Sequence, residues 1–470
     1  MANGKFQRSP RRPSLIPLFI ILFVVAIGAS LVLTLYNFSE STPTVPSTNQ
    51  TIVTVPPTTQ APTEPTIIIP TAPLETTEPT DPPNTTDPYP VATASIGVTG
   101  DILIHSPVFN AMHKGNGVYD FSGIFTYVSE YFQQFDFMVA NLEVPLAGAG
   151  AGYSGYPRFN CPDAIVDALS DAGVDMLLTA NNHVYDQGHK GLIRTQEVIE
   201  NTGLLHLGTR TTTDTPLYNV LDINGIKVGM VCYTYETGNT KDGRKTLNGI
   251  PVSHDDGKLI GSFHPKHLDK FYSEVEEILT AMYEAGAEAT MVYIHWGEEY
   301  QGQENYQQQK IAENLCELGV DVIVGGHPHV IQPFDILYSS TGHRTYCIYS
   351  VGNAVSNQRG SLISQAPNGH TEDGMIFGVT FKKWNDGAVV VSQITAMPLW
   401  VSRSWNNPNG SYYTIIPLDP ESEVWCDPNS SYGLYQSLKA SYERTMNIVG
   451  EGFLACWKLL GMSSMPMTFE

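Results

Sequence analysis

Basic side chains are scarce in this sequence. Lys and Arg number 25 against 47 Asp and Glu, a formal net charge of -22 over 470 residues. A nucleic-acid binder needs a basic face to replace the counterions on phosphates, so that class is set aside. The same imbalance suits solubility outside the cell and repels polyanions, unless a metal or a local basic group compensates. Cysteine is also sparse: Cys161, Cys232, Cys316, Cys347, Cys426 and Cys456 show neither CxxC spacing nor Cys/His finger spacing. Cys232 and Cys347 sit in apolar runs and read as core filling. Cys161 reads as structural rather than nucleophilic. An extracytoplasmic location would permit disulfides, but the spacing pairs none of the six. There is no internal repeat.

Charge is missing altogether from Leu15 to Tyr36. Twenty-two residues at about 1.5 Å rise reach roughly 33 Å, the thickness of a bilayer core. Lys5, Arg8, Arg11 and Arg12 precede the run and no basic residue follows for many positions. The positive-inside rule then places residues 1–14 in the cytoplasm, 15–36 across the membrane and the remainder outside. A cleaved signal peptide is the competing reading, since Ala26-Ile27-Gly28 resembles a small-residue cleavage site. Cleavage there would leave Leu31-Val32-Leu33 near the new N-terminus, which favours the uncleaved anchor.

From Ser39 to Ala94 Lys and Arg are absent and Thr and Pro dominate. Such a segment buries too little apolar surface to offset chain entropy, and its prolines favour extended backbone. Residues 37–94 read as a disordered stalk that carries the globular part away from the membrane.

Beyond it, apolar runs alternate with amphipathic stretches. Predicted strands are Ser95–Gly100, Phe137–Asn141, Met176–Thr179, Lys227–Tyr233, Thr290–His295 and Val320–Val324. Predicted helices are Phe121–Phe132, Pro162–Ala172, Lys190–Asn201, His267–Ala285 and Tyr306–Leu318. This alternation predicts an α/β layered domain over 95–400. Residues 401–470 read as a C-terminal extension with a helix over Tyr435–Leu460.

Metal-type side chains follow the predicted strands: Asp101, Glu143, the run Asn181-Asn182-His183, His295, and the pair His327 and His329 around Pro328. Strand C-terminal ends converge on one edge in layered α/β folds, and ligands bind there. Five segments each delivering a donor to one edge are what a metal site requires. Carboxylate and amide oxygens with neutral imidazoles suit Mn, Fe, Zn or Mg, as one or two ions. Two ions about 3.5–4 Å apart can clamp a phosphoryl group. His183 can then act as a general acid, with Asp186 orienting it. Arg158 is one of few cations near these motifs and a candidate contact for an anionic substrate. Glu298 and Glu299, beside His295, are candidates for acid–base work or line a solvated loop, and Glu298 is also a candidate substrate contact.

At these residues the sequence resembles the CapA family of poly-gamma-glutamate capsule synthesis proteins, a branch of the calcineurin-like metallophosphoesterase superfamily. The matching stretches are Gly100-Asp101-Ile102, Asn141-Leu142-Glu143-Val144-Pro145-Leu146, Ala180-Asn181-Asn182-His183 with Asp186 and Gly188, His295-Trp296-Gly297-Glu298 with Tyr300, Gly326-His327-Pro328-His329-Val330 with Gln332, and Tyr349-Ser350-Val351-Gly352-Asn353. They cover about residues 95–360. The resemblance implies a four-layer α/β/β/α sandwich. It also implies Asp101 and His329 on one metal, Asn182, His295 and His327 on a second, Glu143 bridging, and His183 as the catalytic histidine.

Three positions depart from the pattern. Leu103 stands where the superfamily's Asp-x-His motif places an imidazole, with His105 as the nearby substitute. The bridging residue is Glu143 rather than Asp, a change shared with the CapA branch. Ala354 replaces the Phe that often follows Gly-Asn. The implied function is capsule or poly-gamma-glutamate polymer synthesis or export by a membrane-anchored, extracellular domain with a hydrolase-like metal site. The alternative is a non-catalytic accessory subunit that binds the anionic envelope polymer or a membrane-bound synthase. A surface adhesion module would need none of these metal motifs.

Overall fold

A computed structural model describes residues 88–360, 362–364, 370–407, 409–420 and 433–462. The anchor expected over 15–36 and the stalk up to residue 87 lie outside these residues. Among the described residues no helix is long and apolar enough to cross a membrane.

The principal elements in chain order are β1 (Pro90–Leu103), β2 (Phe137–Leu142), α1 (Ala164–Asp171), β3 (Met176–Leu178), α2 (Gly188–Asn201), β4 (Leu205–Leu207), β5 (Tyr218–Ile223), β6 (Ile226–Tyr235), β7 (Ser262–Phe263), α3 (Leu268–Glu284), β8 (Ala289–His295), α4 (Tyr306–Glu317), β9 (Val322–Gly326), β10 (Phe334–Tyr338), β11 (Arg344–Ile348), β12 (Asn353–Ser356), β13 (Asp373–Trp384), β14 (Val389–Arg403), β15 (Tyr413–Pro417) and α5 (Tyr435–Leu460).

They build two large sheets. The first runs β15-β14-β13-β1-β2-β3-β4, with β12 also pairing β1, and the second runs β7-β6-β8-β9-β11-β10, with β5 pairing β6. Neighbours around the centre of each sheet are parallel: β1 with β2, β2 with β3, β6 with β8, and β8 with β9.

Side-chain alternation shows how the sheets stack. On β6, Met230 and Cys232 enter one apolar cluster while Val231 and Tyr233 enter another. On β8, Met291 and Tyr293 face the first cluster, and Val292 and Ile294 the second. The first cluster also holds Ile96, Val98 and Val139 of the other sheet, so it is the shared core between them. The second is closed by Phe271, Val275 and Leu279 of α3 and by Ile311 and Leu315 of α4. On the far side of the first sheet, Met138 and Ala140 pack against Ile165, Val166 and Leu169 of α1. The period of two in the strands and the i, i+4 stripe Phe271, Val275, Leu279 in α3 thus arrange the layers helix, sheet, sheet, helix.

Two expected boundaries are corrected. Strand β1 begins at Pro90, because Pro90 to Thr99 pair with β13, so the stalk reading ran a few residues too far. A domain end at residue 400 would cut β14, and β15 completes the same sheet. Helix α5 is part of the core as well. Val449, Phe453, Cys456 and Trp457 enter the inter-sheet cluster. Asp373 of β13 accepts from Ser441 Oγ at 2.7 Å and from Arg444 Nε and Nη2 at 2.8 and 2.7 Å. Cys161, Cys232, Cys316, Cys347 and Cys456 are free and buried; Cys426 lies outside the described residues.

Candidate metal centre

Register brings the donors to one edge. Asp101 of β1 pairs with Asn141 of β2, which pairs with Leu178 of β3. On its other side Asp101 pairs with Asn353. The register of β1 shifts around Asp101 against both neighbours, and a bulge of this kind re-aims a side chain at a strand end. In the second sheet His295 ends β8 opposite Gly326, the residue before His327. His327 and His329 hold φ of 95° and 57°. This left-handed backbone, uncommon outside glycine, turns both imidazoles inward.

Asp101, Glu143, Asn182, His295, His327 and His329 are each at most 5% exposed. Asn182 Oδ1 lies 2.9 Å from His295 Nε2. Glu143 Oε1 is 3.3 Å from His295 Nε2 and 3.8 Å from His329 Nε2. His329 Nδ1 is 3.1 Å from Asp101 Oδ2. The His295 and His327 rings are 4.8 Å apart. Three donor sets result among the described residues, Glu143 with His295 and His327, Asp101 with Glu143 and His329, and Glu299 with His327 and His329; within each, the donor atoms lie within 4.8 Å of one another.

Neither imidazole near Glu143 is aligned to donate to it, and among the described residues both of its oxygens lack a hydrogen-bond partner. His327 Nδ1 is likewise buried and unpartnered. Such groups cost several kcal/mol unless something compensates. A divalent cation is the compensation this donor set fits: hard oxygens and imidazoles arranged about an orphaned carboxylate.

The electrostatics agree. Burial lowers His327 well below the usual imidazole range, with His295, His329 and His183 adding repulsion, so it is neutral and ready to donate a lone pair. Burial also works against a charge on His329, but Glu143, Asp101 and Glu299 outweigh it and push it up to about 9. The pocket therefore favours positive charge at that point. Burial opposes the charge on Asp101 too, yet the His329 hydrogen bond and charge, then His295 and Asn141, hold it below the ordinary carboxylate value.

His183 stands beside the donors. A carboxylate accepts, so His183 Nδ1 donates to Asp186 Oδ2 at 2.8 Å, leaving Nε2 for a ligand. Asp186 is fixed in turn by the Phe159 amide at 2.8 Å and Asn248 Nδ2 at 2.8 Å. His183 and His329 line an open cavity of about 330 Å³ together with Tyr156, Phe159, Glu299 and Tyr300.

Other expectations are met differently. Arg158 is exposed and does not line the cavity; its carbonyl accepts from Ser154 Oγ. Glu298 is exposed and outside the cavity, and Glu299 is the acidic residue that faces it. His105 lines the cavity but belongs to none of these donor sets. Its Nδ1 lies 3.1 Å from the Leu103 carbonyl, and its ring meets the Phe159 edge at 5.2 Å.

Burial lowers His105 against the pull of that carbonyl, and with His329 and His183 nearby its pKa falls to about 4 from 6.5. The folded chain thus refuses a proton that the unfolded chain accepts. The stability carried by neutral His105 is complete above pH 6.5 and drains away as pH falls towards 4. His105→Asn should flatten the pH dependence of the urea midpoint across that window, by at most about 3 kcal/mol. An unchanged slope would show that His105 titrates normally.

Asparagines to which the sequence assigned no role of their own serve as orienting groups. Asn141 Nδ2 donates to Asp101 Oδ1 at 2.7 Å, and Asn181 Nδ2 donates to the Leu142 carbonyl at 2.9 Å. Asn353 Oδ1 sits 3.1 Å from His329 Nδ1, while its amide donates to the His329 carbonyl at 3.2 Å. Their positions inside the Asn-Leu-Glu, Asn-Asn-His and Gly-Asn stretches were the available signal.

Residues 95–358, more than half of the chain, match the family described as bacterial capsule synthesis protein PGA_cap. The chain is 27% identical over 266 residues to capsule biosynthesis protein CapA of Bacillus anthracis, covering 56% of this chain and 59% of that protein. It is 25% identical over 269 residues to PGA biosynthesis protein CapA of Bacillus subtilis (strain 168), covering 56% and 63%. The matched stretch thus spans less than two thirds of either relative. Among solved structures, NAD nucleotidase of Haemophilus influenzae superposes with a TM-score of 0.38 at 10% identity, over 78% of this chain and 60% of that one. The protein TT1561 of Thermus thermophilus gives 0.32 at 9%, over 60% and 93%. Neither structural likeness is close enough to carry an argument. The match across the metal-type motifs, together with the two relatives, makes this chain a member of the bacterial capsule synthesis protein family.

Proposed function

We propose that this protein acts outside the cell, anchored through residues 15–36, in the synthesis or export of a capsule polymer of poly-gamma-glutamate type, through a metal-dependent, hydrolase-like site. The observation that carries the site is Glu143, a fully buried carboxylate whose two oxygens have no hydrogen-bond partner among the described residues. Asp101, Asn182, His295, His327 and His329 surround it as the remaining donors. When bound there, one or two divalent ions would supply Lewis-acid polarisation of a phosphoryl or acyl oxygen. The chain's own part is to bind, orient and move protons. His183 Nε2 is the proton carrier at the cavity wall, held in one tautomer by Asp186. The cavity would admit one segment of a polymer, and in a chain of net charge -22 the ions would offset repulsion of an anionic one.

A second reading has its own observation. Leu103 occupies the place of an imidazole, which weakens the Asp101 side and suits an accessory subunit that binds polymer or synthase without turnover. Metal analysis of the full-length chain separates the readings. The wild type should hold at least one divalent ion. Asn182→Ala and His295→Ala should each lower affinity by at least ~10-fold and lose hydrolysis of a generic phosphodiester or amide. Bound metal without metal-dependent turnover would select the accessory role. No metal under any reconstitution condition would remove the site itself.

A further inference from the structure

The loop after β8 is built more firmly than a solvated turn requires. Tyr300 holds φ of 65°, and its amide donates to the Pro328 carbonyl at 2.8 Å, between the two imidazoles of the His-Pro-His turn. Gln332 Nε2 donates to the carbonyls of Gln301 and Gln303 at 2.9 and 3.0 Å, and Gln308 Nε2 donates to Gln332 Oε1 at 2.8 Å. The Tyr300 hydroxyl accepts from Gln358 Nε2 at 3.1 Å. Strained, anchored backbone persists where the surroundings over-determine it, and such sites cluster at function. What this clasp positions is Glu299. One carboxylate oxygen of Glu299 and a ring nitrogen each from His327 and His329 lie within 4.8 Å of one another.

We propose that Glu299 is a metal ligand of this centre, completing with His327 and His329 a set of donors for a hard divalent cation, at a centre where Leu103 supplies no imidazole. The inference rests on the metal-site reading above and extends it to a residue outside the resemblance. Leu103 is 2% exposed and packed in the apolar cluster beneath the first sheet, so nothing ligating comes from its position. His105 faces the Leu103 carbonyl rather than the donors. His327 Nδ1 is buried and has no hydrogen-bond partner among the described residues. Two donors at about 2.1 Å from one ion stand roughly 3 to 4 Å apart, so a rotation of the exposed Glu299 side chain closes the distance. Glu298 is an internal control: it is equally acidic, adjacent and exposed, yet in none of the donor sets.

The test is Mn²⁺ titration of the full-length chain, followed by calorimetry and elemental analysis, for wild type, Glu299→Gln, Glu298→Gln and His295→Ala, at low and at high KCl. Glu299→Gln should weaken or abolish binding of one ion by at least ~10-fold at both salt levels, since lost ligation is not screened as an exposed charge is. Glu298→Gln should match wild type within about twofold, as expected of a screened surface charge. If Glu299→Gln titrates like wild type while His295→Ala is deficient, the Glu299 assignment falls and the metal site stands. A deficit in Glu299→Gln that vanishes at high salt overturns ligation in favour of a surface field. Absence of binding in the wild type overturns both readings together.

Discussion

Glu143→Gln is expected to strip the centre of metal, by ~100-fold or more in affinity, and yet to stabilise the metal-free chain at high pH. The carboxylate belongs to two of the three donor sets, so its loss leaves only Glu299, His327 and His329 as an intact set. In the metal-free protein the same charge is a liability, buried and unpartnered. The imidazolium of His329 is its partial counter-charge, and burial notwithstanding, Glu143, Asp101 and Glu299 push that imidazole up to about 9. A base whose folded pKa is raised contributes stability that is complete below its ordinary value and lost as pH rises through the raised one. The gain from Glu143→Gln should therefore be smallest near neutrality and largest above pH 9, at about 1–3 kcal/mol. Thermal unfolding of chelator-treated wild type and variant from pH 6 to 10, with metal analysis alongside, measures both effects. Unchanged metal affinity, or a variant less stable at every pH, would contradict the account.

Gly325→Ala should be among the most damaging single-carbon changes in the chain. A Cβ at Gly325 would lie 2.0 Å from the Tyr349 carbonyl oxygen and 2.5 Å from Trp296 Nε1, two atoms joined by a 2.9 Å hydrogen bond. The obstacle is backbone on a neighbouring segment, not the end of a flexible side chain. Relief requires that β9 move, and β9 carries His327 and His329 at its end. The expected loss is about 3 kcal/mol, with metal affinity falling in step. Gly150→Ala, which meets nothing within 4 Å, should stay within about 0.5 kcal/mol of wild type in chemical denaturation. Equal effects at the two positions would rule out the packing explanation. Gly100 obeys the same logic, with the Gly352 carbonyl 2.0 Å from its would-be Cβ. The glycine before Asp101 is there because two strands approach too closely for any side chain.

The sequence reading succeeded where periodicity and burial coincide. The core strands are apolar on both faces and end in polar residues, and the observed strands β2, β3, β8 and β9 end within three residues of those expected. It failed where a distant group decides local structure. The helix expected over Phe121–Phe132 is two helices, Ser122–Phe125 and Ser129–Phe132. A continuous helix would direct the Gly123 carbonyl to an amide one turn on. That carbonyl instead accepts from Asn409 Nδ2 at 2.7 Å, a residue 286 positions away. Glu298 and Glu299 could not be told apart in the sequence for a related reason. Gly297 and Tyr300 both have positive φ, and their turn sends the second carboxylate, not the first, to the site. No pattern of hydrophobicity records a backbone angle. His105 was the nearest spare imidazole in sequence, but its hydrogen bond to Leu103 leads it away.

The pairing of β1 also has a consequence in time. Its residues meet β2 some forty positions later, but its other neighbours, Asn353 of β12 and the strand Asp373–Trp384, come from far down the chain. As the polypeptide emerges, β1 and β2 can associate early while the opposite rim of β1 stays unpaired. An unpaired rim is a template for wrong partners, and closing so long a loop makes folding slow. Only when β13 arrives, tied by Asp373 to Ser441 and Arg444, is that rim sealed. Asp101 lies on this seam. The centre is thus expected to be completed late in folding, and a nascent or truncated form lacking β13 would be both sticky and without a finished place for an ion.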